Sequence, residues 1–512
     1  MLEPVSARQL PAATPFEGYT LSAEVLSFLG RPHELLIGGR WTSAQSGESI
    51  ATADPATGLV LTSVAAGGAG DVDWAVRAAR QAFRGPWSRL APRQRATHLS
   101  RLARLVETHR ETLTELEIID NGMPRGIAAL TVGNCVEMLD YYAGWTTKIE
   151  GVTTTPPAHL TWQAEALTYT LREPVGVVAA IIPWNVPLSM AILKLAPALA
   201  AGCTLVLKPA EETPLSSLLL AALTLEADFP PGVVNIVNGR GETAGAALAA
   251  HSGVDKIAFT GSTEVGRKII VAAAANLKKL SLELGGKSPV VVMPDADLER
   301  AIPGVAMAAF FLQGQNCMAG TRIFVHATVH DRLVDGLVTF AQGMRMGHGL
   351  DAATQVGPLI SPGQTDRVMG YIERARLEGA SVAAGGARAS RPGYFVQPTI
   401  FTDAEPHMAI VREEIFGPVM AIQRFVTLDL DAIAGLANDT VYGLSGSVWT
   451  RDLSTAHRLV SRIRAGHVSI NCHGAVAANI PFGGYKQSGW GREFGREGMD
   501  AYLETKAVTA AL

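Results

Sequence analysis

The sequence predicts an α/β fold of parallel sheets flanked by helices, and three observations carry that prediction. Short runs rich in β-branched residues, VGVVAAII, CTLVLKP, VVNIVNG, KIAFTGS, SPVVVMP and TRIFVHATV, are bounded by glycine or proline and read as strands. Between them lie alanine-rich or amphipathic stretches such as LSSLLLAALTLEAD, ETAGAALAAH and TEVGRKIIVAAAANL, and strands alternating with helices in this way build parallel layers. At 512 residues, 48% of them hydrophobic and 18% charged, the chain exceeds what one core holds, so two large domains and a smaller appendage are expected.

Along the chain, residues 1–33 open with an acid and several prolines and carry no apolar segment of signal type, so a short, loosely packed leader is expected. DVDWAVRAARQAF and RATHLSRLARLVETHRETLTELEIID read as long amphipathic helices with solvated basic faces. GVTTTPPAHLTWQAEALTYTLREP, from Gly151 to Pro174, starts as loop and ends as an alternating strand, and the tail YLETKAVTAAL alternates too. Both read as exposed strands in need of a partner, together forming an edge that a second subunit would cover. The charge-free run from Val175 to Leu193 is interrupted by two prolines and Asn185 and closed by Lys194, which suits a buried strand, a loop and a helix better than a membrane span. A second boundary falls near LELGGKSP, where the strand pattern restarts.

Net charge is −4 with no block of Lys and Arg, which excludes nucleic acid and anionic membrane as natural partners. The four cysteines, Cys135, Cys203, Cys317 and Cys472, form no CxxC pair; a reducing, cytoplasmic setting without a zinc site or disulfide scaffold is expected.

Two glycine clusters open onto helix-like segments after strands. NGRGETAG carries Gly239, Gly241 and Gly245, spaced one residue too widely for the usual dinucleotide fingerprint; FTGSTEVG carries Gly261 and Gly266 around Ser262. Either turn can present free N–H groups to a phosphate. A nucleoside-triphosphate loop is disfavoured, because GKS at Gly286 to Ser288 has Ser281 where the first glycine belongs and GSTEVGRK has Arg267 where the lysine belongs. KPAEETP sets Lys208 and Glu211 at a strand's carboxyl end, where open α/β sheets bind ligands. A carboxylate there accepts ribose hydroxyls and repels a 2′-phosphate, favouring NAD over NADP, with NADP as the alternative.

Three residues suit covalent chemistry. Cys317, in GQNCMAGTR, leaves a long apolar segment for a glycine-rich loop, a setting for a thiol whose ionisation is controlled by its surroundings. Glu283, in SLELGGKSP, is the single acid of an otherwise apolar run, where a carboxyl holds its proton more tightly and can serve as a general base. Asn185, in PWNVP, has its backbone confined by flanking prolines, so its amide can be a rigid donor to a developing oxyanion. Taken singly, each has a bland alternative as core thiol, capping acid or turn asparagine.

In that order along the chain, PWNVP, KPAE, FTGSTEVG, LELGGKSP, GQNCMAGTR, EEIFGP and PFGGYKQSGWGRE resemble the aldehyde dehydrogenase superfamily, from about Leu36 onward. The resemblance implies the aldehyde dehydrogenase fold. A Rossmann-like NAD-binding domain would span 34–152 and 175–285, and an α/β catalytic domain 286–485. A β-hairpin oligomerisation extension would come from 153–174 and 486–512, in a homo-oligomer, dimer or tetramer. It assigns Cys317 as nucleophile, Glu283 as general base and Asn185 as oxyanion donor beside the Cys317 N–H. It assigns cofactor contacts to Ile181, Pro183, Trp184, Lys208, Glu211, Gly241, Gly245, Phe259, Gly261, Ser262, Gly266 and Leu284, with Glu414 and Phe416 at the nicotinamide ribose.

The implied reaction is oxidation of an aldehyde to the carboxylic acid through a cysteine thiohemiacetal and a thioester, the hydrolytic route being favoured because relatives that pass the acyl group to coenzyme A generally lack the base. The alternatives are a catalytically silent member and esterase action by the same thiol. YYAGWTTKIEG resembles the class that oxidises medium-chain, aromatic and retinoid aldehydes and its betaine-oxidising relatives. Large aromatics of that class are reduced here to Val186, Leu193 and Val476, and the loop NCHGAVAANIPFGG offers no Arg or Lys for a substrate carboxylate. The expected pocket is roomy and mostly neutral, suited to bulky hydrophobic or aromatic aldehydes, with Tyr142, Met190, His473 and Phe482 as further walls and Asn316 and Met318 flanking the nucleophile.

Overall fold

The computed structural model describes residues 19–161 and 165–512. Two large sheets dominate. In the first, the strands Lys279–Glu283, Lys256–Thr260, Val177–Ile181, Thr204–Lys208 and Val234–Ile236 run parallel in that order, with the antiparallel pair Leu35–Ile37 and Arg40–Thr42 at one edge and Gly489–Trp490 at the other. Strand order reverses beside Val177–Ile181, the crevice where doubly wound sheets take ligands. Register aligns the carboxyl ends, pairing Thr260 with Glu283 and Ile181 with Lys208. The charge-free run divides as the prolines suggest, into that central strand, a loop and the helix Pro187–Ala201. Its strand is apolar throughout because both faces are covered: Val178 and Ala180 enter one core and Val177, Ala179 and Ile181 the other. Among the described residues no helix is long and apolar enough to cross a membrane.

The second sheet orders Ser381–Ala384, Thr399–Thr402, Val419–Phe425, Arg322–His326, Pro289–Val292, Ser445–Trp449 and His467–Ile470, parallel except for the first. The exposed strands expected on either side of the chain find each other: Leu503–Ala511 pairs antiparallel with Ala166–Pro174 along its whole length, and Thr153–Thr154 adds a third strand. Leu167 and Leu171 stay exposed on it. Within 486–512 the chain therefore serves two sheets, since Gly489–Trp490 pairs with the strand of Glu283 before the tail reaches the outlying sheet.

The N-terminal stretch differs from a loose leader where it is described. Ser22 caps the helix Ala23–Leu29, accepting from the Val25 N–H at 3.3 Å, and Leu21, Val25 and Leu29 are buried against the first domain's core. Val25 and Leu29, four residues apart, share one helix face, and Leu21 just before the Ser22 cap packs into the same core, which is the physical reason the segment packs. Residues 1–18 of the expected leader lie outside the described residues.

Candidate active site

The setting of Cys317 begins with backbone geometry. Helix Leu298–Phe310 ends, Leu312 and Gln313 take left-handed conformations at φ 53° and 57°, and Gly314 passes so close to Gly417 that a Cβ would sit 2.1 Å from its carbonyl oxygen. Asn316 then closes a turn around Cys317, its side-chain oxygen accepting from Met318 N–H at 3.1 Å and its carbonyl from Ala319 N–H at 3.0 Å. Cys317 is half-buried, and burial, then the carboxylates of Glu414 and Glu283, push its thiol up to about 12, against the pull of the Cys317 and Met318 N–H groups. The resting group is a thiol.

Asn185 lies in the loop between Ile181 and Pro187, 6% exposed, and its Nδ2 donates to the Gln315 carbonyl at 3.0 Å. The Asn185 amide is thus anchored two residues before Cys317. Glu283, the last residue of its strand, is 3% exposed, and neither carboxyl oxygen has a hydrogen-bond partner. Burial first, then Glu493, raises its proton affinity well above the ordinary range; Lys194 and Arg492 oppose this. Its carboxyl lies against Gly483, where a Cβ would meet Oε1 at 2.8 Å, behind the cleft wall that Leu284 and Gly285 form.

The cleft, about 630 Å³, brings together Pro183, Trp184, Asn185, Gly261, Ser262, Leu284, Cys317, Glu414 and Phe416. At its cofactor side Ser262 caps the helix Thr263–Ala273, and Gly266 allows Leu284 to approach, a Cβ there lying 2.7 Å from Leu284 Cδ2. Phe259 packs beneath Gly261. Trp184 meets Phe416 edge-on at 5.2 Å between centroids. Glu414 accepts from Gly286 N–H at 2.9 Å; burial raises it to about 7, with Lys287 and Arg367 opposing, and a Cβ at Gly285 would fall 2.3 Å from its other oxygen. Further along the same sheet edge, Lys208 Nζ pairs with Glu211 at 2.7 Å, and the other Glu211 oxygen accepts from Gly241 N–H at 3.1 Å, opening the turn Gly241–Gly245. Burial works to raise Glu211, yet Lys208 and that N–H hold it below the usual carboxylate range. A cradle opened by Gly285, a helix N-terminus with few side-chain obstructions and an ionised acid at the strand end fit a dinucleotide laid across the sheet's crevice.

Of the residues expected at a substrate pocket, Val186, Met190, Asn316, Met318, Val476 and Phe482 line the cleft, whereas Tyr142, Leu193 and His473 do not. Tyr142 is fully buried, its hydroxyl 3.4 Å from the Gly495 carbonyl, and Leu193 packs in the first domain's core one turn beyond Met190. His473 is held behind the nucleophile turn, one ring nitrogen 2.8 Å from the Met318 carbonyl and the other 3.0 Å from Ser447 Oγ, and burial lowers it to about 4. A neutral ring bonded at both nitrogens supports Met318 from outside the cleft lining. Helix Arg125–Trp145 supplies a wall no motif announced, with Leu130, Asn134, Glu137 and Met138.

Sequence reasoning also missed the buried cation Lys194. It is fully buried, pairs with Glu493 and donates to Thr260 Oγ1 at 2.7 Å, next to Glu283 in the register. Its signal was present, as the one charge within the helix Pro187–Ala201, but its partner lies in another segment altogether.

Comparison with known proteins agrees with this geometry. The model of the aldehyde dehydrogenase family matches residues 41–508. The chain is 47% identical to the mitochondrial aldehyde dehydrogenase of Homo sapiens over 481 residues, covering 93% of this chain and 92% of that one. It superposes on the NAD+ complex of an aldehyde dehydrogenase from Bacillus cereus with a TM-score of 0.94 at 47% identity, over 96% of this chain and 99% of that one. A betaine aldehyde dehydrogenase of Staphylococcus aureus, in complex with NAD+, is similar at 36% identity with a TM-score of 0.91, over 94% and 97% of the two chains.

Proposed function

Because the chain belongs to the aldehyde dehydrogenase family and is by that membership an NAD-linked oxidoreductase, we propose that it oxidises bulky hydrophobic or aromatic aldehydes to carboxylic acids through a covalent adduct on Cys317. The observation that carries this reading is the placement of the Cys317 turn and the anchored Asn185 amide on one cleft, with the unpartnered Glu283 carboxyl behind the wall that Leu284 and Gly285 form. Cys317 Sγ adds to the carbonyl carbon: the C–S bond forms, the C=O π bond breaks, and the thiol proton passes to solvent water. Charge then collects on the former carbonyl oxygen, where the Asn185 amide and the Cys317 N–H are its donors. NAD, when bound, supplies the acceptor for the hydride that this adduct expels, which leaves a thioester on the sulfur. Glu283 takes a proton from water as that water attacks the thioester; the C–S bond breaks, the carboxylic acid leaves, and the proton passes from Glu283 to the sulfur, restoring thiol and base. The carboxyl lies behind the cleft wall, so rotation of its side chain toward the cleft is part of the step, and because burial and Glu493 disfavour its ionisation, turnover is expected to rise with pH.

Support for the substrate class comes from the walls. Val186, Val476, Ala477 and Ala478 keep the cleft wide, and Glu137, the carboxylate on the substrate side, disfavours an anionic aldehyde. Glu211, held ionised by Lys208, favours NAD over NADP. The outlying sheet with its exposed Leu167 and Leu171 supports a homo-oligomer, dimer or tetramer, and four unpaired cysteines suit a reducing, cytoplasmic setting. An aldehyde panel run separately with NAD and NADP tests the reading: benzaldehyde and long-chain aldehydes are expected to turn over with NAD at the highest kcat/KM. Faster turnover of succinic semialdehyde or betaine aldehyde would overturn the substrate class.

A further inference from the structure

Three buried side-chain amides form a closed ring beneath the cleft. Asn121, the last residue of helix Arg110–Asn121 and 3% exposed, donates through Nδ2 to the carbonyls of Trp184 at 2.7 Å and Asn185 at 3.3 Å. Asn185 Nδ2 donates to the Gln315 carbonyl at 3.0 Å. Gln313 Nε2, from the strained turn before Cys317, donates back to the Gly122 carbonyl at 3.3 Å, one residue from the start of the circuit. Each amide therefore ties one segment to the backbone of the next: helix end to oxyanion loop, oxyanion loop to nucleophile loop, nucleophile loop to helix end.

The junction at Gly122 has no slack. Gly122 caps the helix in the left-handed region at φ 88°, its N–H bonded to the Ile118 carbonyl at 2.8 Å, and a Cβ would lie 2.6 Å from Pro358 Cγ. A Cβ at Gly357 would meet the Gly122 oxygen at 2.0 Å. Gln315, whose carbonyl receives the Asn185 amide, is itself held through its side-chain oxygen by Ile360 N–H at 2.9 Å. The left-handed Leu312 and Gln313 also need a surrounding structure that over-determines them, and the ring supplies it.

We propose that Asn121 and Gln313 are positioning residues: they set the separation and angle between the Asn185 amide and Cys317, and so place the oxyanion donor before a substrate arrives. Neither lines the cleft, so both act through Asn185 and the nucleophile turn. The proposal rests on the oxyanion reading of Asn185 given above. A bland structural role, merely satisfying buried carbonyls, predicts a different pattern, because it changes stability without depending on which side chain stands at residue 185.

A double-mutant cycle on the holoenzyme distinguishes the two. Asn121→Ala and Gln313→Asn are each combined with Asn185→Ala; asparagine tolerates the left-handed backbone at 313 but is too short to reach Gly122. Each single substitution is expected to lower kcat by on the order of ten-fold or more, as a small misplacement of a catalytic group does, with the dissociation constant of NAD unchanged. In the Asn185→Ala background the same substitutions are expected to change kcat by less than about two-fold. Equal fold-losses in both backgrounds, or no loss in the singles, would overturn the ring's role. Should Asn121→Ala fail to fold, Gln313→Asn and Asn121→Ser run the same cycle. An Asn185→Ala enzyme with undiminished turnover would instead remove the oxyanion reading, and the ring's function with it.

Discussion

Glu283→Gln is expected to make the protein more stable and nearly inactive. The substitution keeps size and shape but removes the proton acceptor and the charge. For activity, a positioned general base contributes roughly 10²–10⁴ in rate, or about 2.7–5.4 kcal/mol of barrier. The loss falls on thioester hydrolysis, after hydride transfer, so the first turnover survives. Stopped-flow monitoring of reduced cofactor should record a burst near one equivalent per active site followed by a steady state slowed by that factor. Stability moves the other way. The carboxyl is 3% exposed with both oxygens unpartnered, and burial and Glu493 raise its proton affinity. Below the ordinary glutamate value of 4.5 it is neutral in both folded and unfolded chains. Above it the unfolded chain ionises freely while the folded one resists, so wild-type stability declines with rising pH, by ~1.4 kcal/mol for each unit of displacement, until the folded value is passed. Glutamine escapes this, and its thermal midpoint should exceed the wild-type's by a margin that is present at pH 8 and shrinks toward pH 5. A variant less stable than wild type at pH 8, or one with full steady-state turnover, would refute the reasoning.

Glu493→Gln removes the carboxylate that raises Glu283 and leaves Lys194, which lowers it, so the acidic limb of the kcat profile should move to lower pH; a shift upward would contradict the electrostatic assignment. Glu211→Gln removes the ionised acid expected to repel a 2′-phosphate and should raise the NADP-to-NAD ratio of kcat/KM by about ten-fold, read from the same assay with each cofactor. Val476→Phe fills part of the 630 Å³ cleft and should lower kcat/KM for bulky aromatic aldehydes by about ten-fold or more while sparing acetaldehyde; equal losses on both would argue against Val476 as a wall.

Local chemistry was legible in the sequence wherever a residue's neighbours determine its role. Cys317 does leave a helix for a glycine-flanked turn, Glu283 does end an apolar strand, and the FTGSTEVG segment does run from strand to helix. What depends on distant packing was not. Lys194 meets Glu493 299 residues away, and a lone lysine in an apolar helix does not announce such a partner. Tyr142, Leu193 and His473 sit near the cleft in sequence terms, yet helix rotation and ring hydrogen bonds turn them into core or scaffold. The opposite error befell Val25 and Leu29, whose helical spacing was readable but obscured by the proline-rich stretch ahead of them.

The strand Gly489–Trp490 bears on how the protein is made. The edge beside Glu283 closes only when this late segment arrives and pairs Glu283 with Gly489. During synthesis the first sheet therefore emerges long before that edge can be covered, and must persist with an open row of N–H and C=O groups while the entire second sheet is translated. An unpaired parallel edge of this kind invites pairing with another nascent chain. Heterologous production should therefore depend on slow translation or on chaperones that shield the waiting strand, and chains shortened before residue 489 should be recovered as aggregates rather than as a free cofactor-binding domain.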